Sequence, residues 1–137
     1  MIVKAKYNHI KDLPLELQHF AYHQEAGSDL LPLTIGKQYV VAGIRKIENT
    51  MSYLIVADYG ELRATPWWYP EHLFVVVDSN KPSGWVESGD PNGDSYIFTF
   101  PELALDETGD FENNLEDGEP EELGIFRKYY RRYREQA

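Results

Sequence analysis

The chain contains no cysteine. Disulfides, thiolate zinc sites and a cysteine nucleophile are therefore excluded, and the composition fits a reducing compartment. Long apolar runs are absent too. Lys4 and Lys6 interrupt the first nine residues, so these lack the apolar stretch of a secretory signal. No segment approaches the ~20 apolar residues that cross a bilayer. The expected location is the cytoplasm. Basic residues are scarce: 13 Lys and Arg stand against 23 Asp and Glu, for a net charge of −10. Such a field repels nucleic acid and anionic membranes, favours encounter with cationic partners, and keeps a protein in solution. Neither nucleic acid nor a membrane is expected as a partner.

Catalytic signatures are also missing. Gly36-Lys37 is followed by Gln38 and lacks the glycine spacing of a phosphate-binding loop. No serine sits in a Gly-x-Ser-x-Gly elbow. His19 and His23 lie four apart, as two metal ligands on a helix would, but no His-Glu-x-x-His pattern accompanies them. They read as polar-face histidines. Asp90-Pro91-Asn92-Gly93-Asp94 departs from an EF-hand loop in the position of its glycine, and Pro101 stands where the bidentate glutamate belongs. It reads as a turn. Paired carboxylates can do acid–base work, but here they cluster where few apolar residues could desolvate them and raise their pKa. No catalytic residue, metal or cofactor is expected, and the chain reads as a non-catalytic binding protein.

What is present suffices for a core. The 137 residues are 42% hydrophobic and 14% aromatic, about one domain's worth, and residues 1–137 are read as a single domain. Charge is unevenly placed. Residues 102–122 carry ten acids and no Lys or Arg, whereas residues 127–134 carry five basic residues and no acid.

Residues 2–7 alternate apolar and charged, as a half-buried strand does. Asp12 as N-cap, Pro14 in the first turn and Leu13, Leu17, Phe20 and Ala21 at helical spacing predict a helix near 13–26. Strands are expected over 38–47, 53–59, 62–69 and 73–78, with a hairpin connection at 48–50 and a break at 70–72. Residues 79–95 are rich in turns, and short strands are read at 85–86 and 96–100. Residues 101–119 are read as an acidic, irregular segment. Pro120 then opens a helix near 120–134, with Glu121 and Glu122 at its start and the basic residues toward its end, as the helix dipole favours. Leu123, Phe126, Tyr130 and Tyr133 form its apolar face. The fold class is mainly β, within α+β.

The order of the pieces over residues 2–78 resembles an SH3-like barrel. Ala5-Lys6-Tyr7-Asn8 is similar to its opening strand, Leu33-Thr34-Ile35-Gly36-Lys37 to the segment that leads into its second strand, and Tyr69-Pro70-Glu71-His72-Leu73-Phe74 to the turn before its last strand. The resemblance implies a small SH3-like β-barrel carrying an inserted helix near 13–26 and a C-terminal helix near 120–134. It does not imply polyproline binding. Thr50-Met51-Ser52 lacks the tryptophan expected there, and Leu73 replaces the tyrosine of the turn, which removes the aromatic ridges that hold such ligands.

Trp67, Trp68 and Tyr69 form the most informative remaining stretch. Alternation along a strand prevents both tryptophans from entering one core. Either the C-terminal segment covers the second ring, or it is an interface anchor rimmed by Asp58, Glu61 and Glu71. Size, charge and aromatic content also resemble those of immunity proteins of bacterial toxin–immunity pairs, which neutralise a basic nuclease toxin by covering its active site. That resemblance implies a basic protein partner steered by acidic residues of the 106–122 segment: Asp106, Glu107, Asp110, Glu112, Glu116 and Asp117. The other reading is a small-molecule or peptide-binding module that uses the Trp67–Tyr69 surface.

Overall fold

The computed structural model describes residues 1–18, 29–58 and 65–137. Among these, the strands are β1 (Ile2–Ala5), β2 (Gln38–Val40), β3 (Gly43–Ile47), β4 (Thr50–Ile55), β5 (Trp67–Pro70), β6 (Phe74–Asp78), β7 (Val86–Gly89) and β8 (Ser95–Thr99). They form two antiparallel sheets, one of three strands in the order β2-β1-β6 and one of five in the order β5-β4-β3-β8-β7. The protein is thus mainly β with added helices.

The expected single strand over 38–47 is divided between the sheets. Val41 and Ala42, both fully buried, point their amides in opposite directions. Val41 N–H donates to the Met1 carbonyl at 3.0 Å, while Ala42 N–H donates to that of Leu54 at 2.8 Å. Because successive strand amides face opposite edges, this pair passes the chain from the first sheet to the second. Gly43 follows at a close approach: a Cβ there would lie 2.7 Å from Thr99 Oγ1. The hairpin connection falls where the sequence placed it, with Glu48 at φ 56°. β5 leads through a 3-10 turn (Glu71–Leu73) into β6, and Lys6 N–H ties this turn to β1 by donating to the Leu73 carbonyl at 2.9 Å.

The expected helix near 13–26 takes another form where it is described. Ile10–Asp12 is a 3-10 turn, so Asp12 ends an element instead of capping one. A second 3-10 stretch occupies residues 15–18, opened by the Leu17 N–H to Pro14 carbonyl bond. Residues 19–28, with His19 and His23, lie outside the described residues.

Residues 101–119 are a correction, for two helices joined by a turn occupy most of a segment expected to be irregular. The helices are α1 (Pro101–Ala104) and α2 (Asp110–Glu116), followed by α3 (Pro120–Gln136). Pro101 and Pro120 each occupy a first helical turn, where a missing N–H costs nothing. Leu103, Ala104 and Leu115 turn inward, and Phe111 packs edge-on against Phe100 at 5.9 Å between ring centroids.

α3 docks through Leu123, Phe126 and Tyr133, all buried, while Tyr130 is half-buried. Phe100 stacks on Tyr129 at 4.8 Å, and Trp85 meets Tyr133 edge-on at 6.1 Å. A single hydrophobic cluster runs from Met1 and Val3 through Tyr69 and Phe100 to Phe126 and Tyr133. Each large side chain fully buried in it contributes roughly 2–3 kcal/mol. No helix among the described residues is long and apolar enough to cross a membrane.

Candidate binding surface

β5 gives the paired tryptophans different degrees of burial. Trp68 and Tyr69 are buried, Tyr69 completely, while Trp67 is half-buried against the rim of the core. The covering layer over Trp68 is the acidic segment itself. Its indole Nε1–H donates to Glu112 Oε1 of α2 at 3.0 Å. The guanidinium of Arg45, from β3, lies 4.5 Å from the indole centroid and 2.6 Å from the same carboxylate oxygen. Burial lowers the Arg45 pKa, while the charges of Glu112 and Glu116 oppose that shift. Arg45, Trp68 and Glu112 thus clamp α2 to the sheet, and neither Trp68 nor Tyr69 offers a ring to solvent.

Asp106 makes the second fixing contact. Its carboxylate accepts the amides of Phe111 at 3.3 Å and Glu112 at 3.0 Å, and Thr108 Oγ1 accepts that of Asp110 at 3.3 Å. Three of the unpaired amides that open α2 are thereby satisfied, as a helix start requires. Glu102 of α1 accepts the Tyr129 hydroxyl at 2.7 Å, and this bond raises the phenol's pKa.

The remaining acids of the segment face water. Glu107, Asp110, Asp117, Glu119 and Glu121 are exposed, and Glu116 is exposed on the same short helix. The arrangement is therefore a rigid anionic face. Its backbone is fixed by Asp106, Glu112 and buried Leu115.

Of the acids read as a rim to this aromatic stretch, Asp58 and Glu71 have partners other than Trp68. Asp58 accepts hydrogen bonds from Thr34 Oγ1 at 2.6 Å and Tyr39 OH at 2.9 Å, and pairs with Lys37 Nζ at 2.5 Å. Burial pulls its carboxyl upward, but these three donors outweigh it and the pKa is lowered. Burial likewise pushes the Tyr39 phenol up to about 12. Glu71, exposed at the start of its 3-10 turn, lies within hydrogen-bonding reach of the Tyr53 hydroxyl. Glu61 lies outside the described residues. Among the described residues no group of three or more His, Asp or Glu is placed to hold a metal.

Sequence reasoning missed Arg45, whose signal was a lone arginine within an alternating strand. It also missed the capping role of Asp106, four residues before Asp110 opens a helix. No family model, curated protein or solved structure matches the chain.

Proposed function

We propose that this is a non-catalytic binding protein that captures a basic protein partner on the anionic face of α1, α2 and the start of α3. The observation that carries this reading is the division of labour within the acidic run. Asp106 and Glu112 are spent on holding the segment in place, while Glu107, Asp110 and Asp117 stand exposed on it. Carboxylates held on a rigid scaffold lose little conformational entropy on binding, and a surface of one sign steers an oppositely charged partner. The chain's net charge of −10 reinforces this steering. In this reading the protein acts as an immunity protein does, covering the active site of a basic, nuclease-type toxin.

The scaffold is read as SH3-like. Support comes from the strand path β6-β1-β2, the passage through Val41 and Ala42 into β3, then β4 and β5, and the 3-10 turn that leads into β6. β7 and β8 extend the second sheet beside β3. The alternative small-ligand surface at Trp67–Tyr69 has only half-buried Trp67 to offer.

The test is affinity capture of the tagged chain from lysate of its source, eluted with a salt gradient, followed by association kinetics with the captured protein. The neutralised variant Glu107→Gln/Asp110→Asn/Asp117→Asn should associate about tenfold more slowly, with a flatter salt dependence. A captured partner whose association rate ignores both salt and these substitutions refutes the anionic-face reading. So does a partner that is itself acidic.

A further inference from the structure

α3 carries a second polar surface of the opposite sign. A groove of about 560 Å³ runs between this helix and Val56, the residue after β4, and is lined by Phe126, Tyr130, Arg127, Arg131, Arg134 and Glu135. Val56 and the rings of Phe126 and Tyr130 make an apolar floor, and the three arginines form a rim. Arg134 rests over the Tyr130 ring at 5.8 Å. Arg127 and Arg131 are exposed and have no anionic partner among the described residues. In a chain with ten more acids than bases, two arginines with no ion pair among the described residues thus stand beside an apolar floor, and Glu135 is the one acid of the lining.

The spacing narrows the ligand. Positions 127, 131 and 134 share a helix face, with axial steps of about 6 and 4.5 Å and a total span of roughly 10 Å. A single phosphate or carboxylate is too small to meet three guanidiniums so far apart. Carboxylates on alternate residues of an extended peptide recur about every 7 Å, close to the first step. A long polyanion such as nucleic acid would also lie in the field of the acidic face, a penalty that grows with each phosphate. A short peptide brings few charges and adds an apolar side chain for the floor.

We propose that this groove binds a short acidic peptide segment of a partner protein, with an aromatic or aliphatic side chain on one face of the segment seated on Val56, Phe126 and Tyr130 and alternate carboxylates on its other face held by Arg127, Arg131 and Arg134. The site is separate from the anionic face and does not depend on that face's partner. Guanidinium–carboxylate pairs give bidentate, charge-assisted hydrogen bonds, and the apolar floor discriminates among acidic sequences.

The experiment is fluorescence anisotropy of a fluorescein-labelled peptide, Asp-Glu-Phe-Glu-Asp, titrated with the full chain. Saturable one-to-one binding is expected, weakened at least about tenfold by Arg131→Glu and weakened when the peptide phenylalanine is replaced by serine. Arg132→Glu makes the same charge change on the side of α3 that carries Tyr129, outside the groove lining, and it should alter affinity by no more than about twofold. Arg131→Gln serves as a milder second variant, and circular dichroism melts check that each variant is folded. Absence of saturable binding overturns the proposal. Equal losses from Arg131→Glu and Arg132→Glu, or tighter binding of a labelled oligouridylate than of the peptide, would do the same.

Discussion

Removing the Glu112 carboxylate should undock α2 from the sheet. In the wild type one oxygen serves both the Trp68 indole N–H and the Arg45 guanidinium. Losing a charged acceptor from a largely buried donor costs about 1–2 kcal/mol. Breaking a fully buried ion pair by deleting one partner costs about 3–5 kcal/mol. Here the Arg45 and Glu112 side chains retain 26% and 29% exposure, so water recovers roughly half of that penalty. Glu112→Ala is therefore expected to destabilise the protein by about 3 kcal/mol, and Glu112→Gln, which keeps a neutral acceptor for Trp68, by about 1–1.5 kcal/mol. The stacking of Arg45 on the indole, about 1 kcal/mol, survives both changes. Urea unfolding followed by far-ultraviolet circular dichroism measures each value, and a double-mutant cycle with Arg45→Met should give a coupling of about 1–2 kcal/mol. A loss below about 0.5 kcal/mol for Glu112→Ala, or additivity in the cycle, refutes the clamp.

Two further perturbations probe the scaffold. Gly43→Ala and Gly124→Ala should move stability in opposite directions. A Cβ at Gly43 would meet Thr99 Oγ1 at 2.7 Å and Trp68 Cη2 at 3.3 Å, and Thr99 is held by its bond to the Ala42 carbonyl, so a loss of about 1–3 kcal/mol is expected. Gly124 lies within α3 with nothing within 4 Å, so alanine there should add about 0.5–1 kcal/mol, and thermal melts of the two variants read both signs. The lowered pKa of Asp58 predicts stability that is present above the unfolded carboxyl's value and lost as pH falls through the lower folded value. Asp58→Asn should consequently destabilise at neutral pH and converge with wild type at strongly acidic pH. A gap between the two that persists unchanged in acid would show that the carboxylate's charge is irrelevant.

The β-rich middle was legible because its cues are local. Alternation at Ile2–Ala5, β-branched runs around Val40 and Val75, and the turn at Glu48 all act within a few residues. α3 was legible for the same reason, since Leu123, Phe126 and Tyr133 share one face and Pro120 marks the start. Residues 101–119 were misread because charge masked a short apolar pattern. Phe111 and Leu115 lie four apart, but the helix they define is capped by Asp106 from outside its own span and docks on Trp68, 44 residues from Glu112, and that second contact is not local. The site divides similarly. An acidic surface could be read from composition, whereas the inward roles of Asp58 and Glu112 depend on partners 19 to 67 residues away. The basic residues of α3 were read as complementing the helix dipole, and the groove they border exists only once Val56 is beside it.

The clamp around Trp68 has an optical consequence. Indole emission depends on the polarity and mobility of its surroundings, and here the ring has a cation on its face and an anion at its nitrogen. The anion is carried by a surface helix, while the cation comes from the sheet. A ligand that shifts α2 would alter the light from a chromophore it never touches, and substituting Trp67 and Trp85 with phenylalanine would leave Trp68 as the only source. The protein thus carries its own label-free reporter of events on its acidic side, and events confined to the arginine groove should leave that signal quiet.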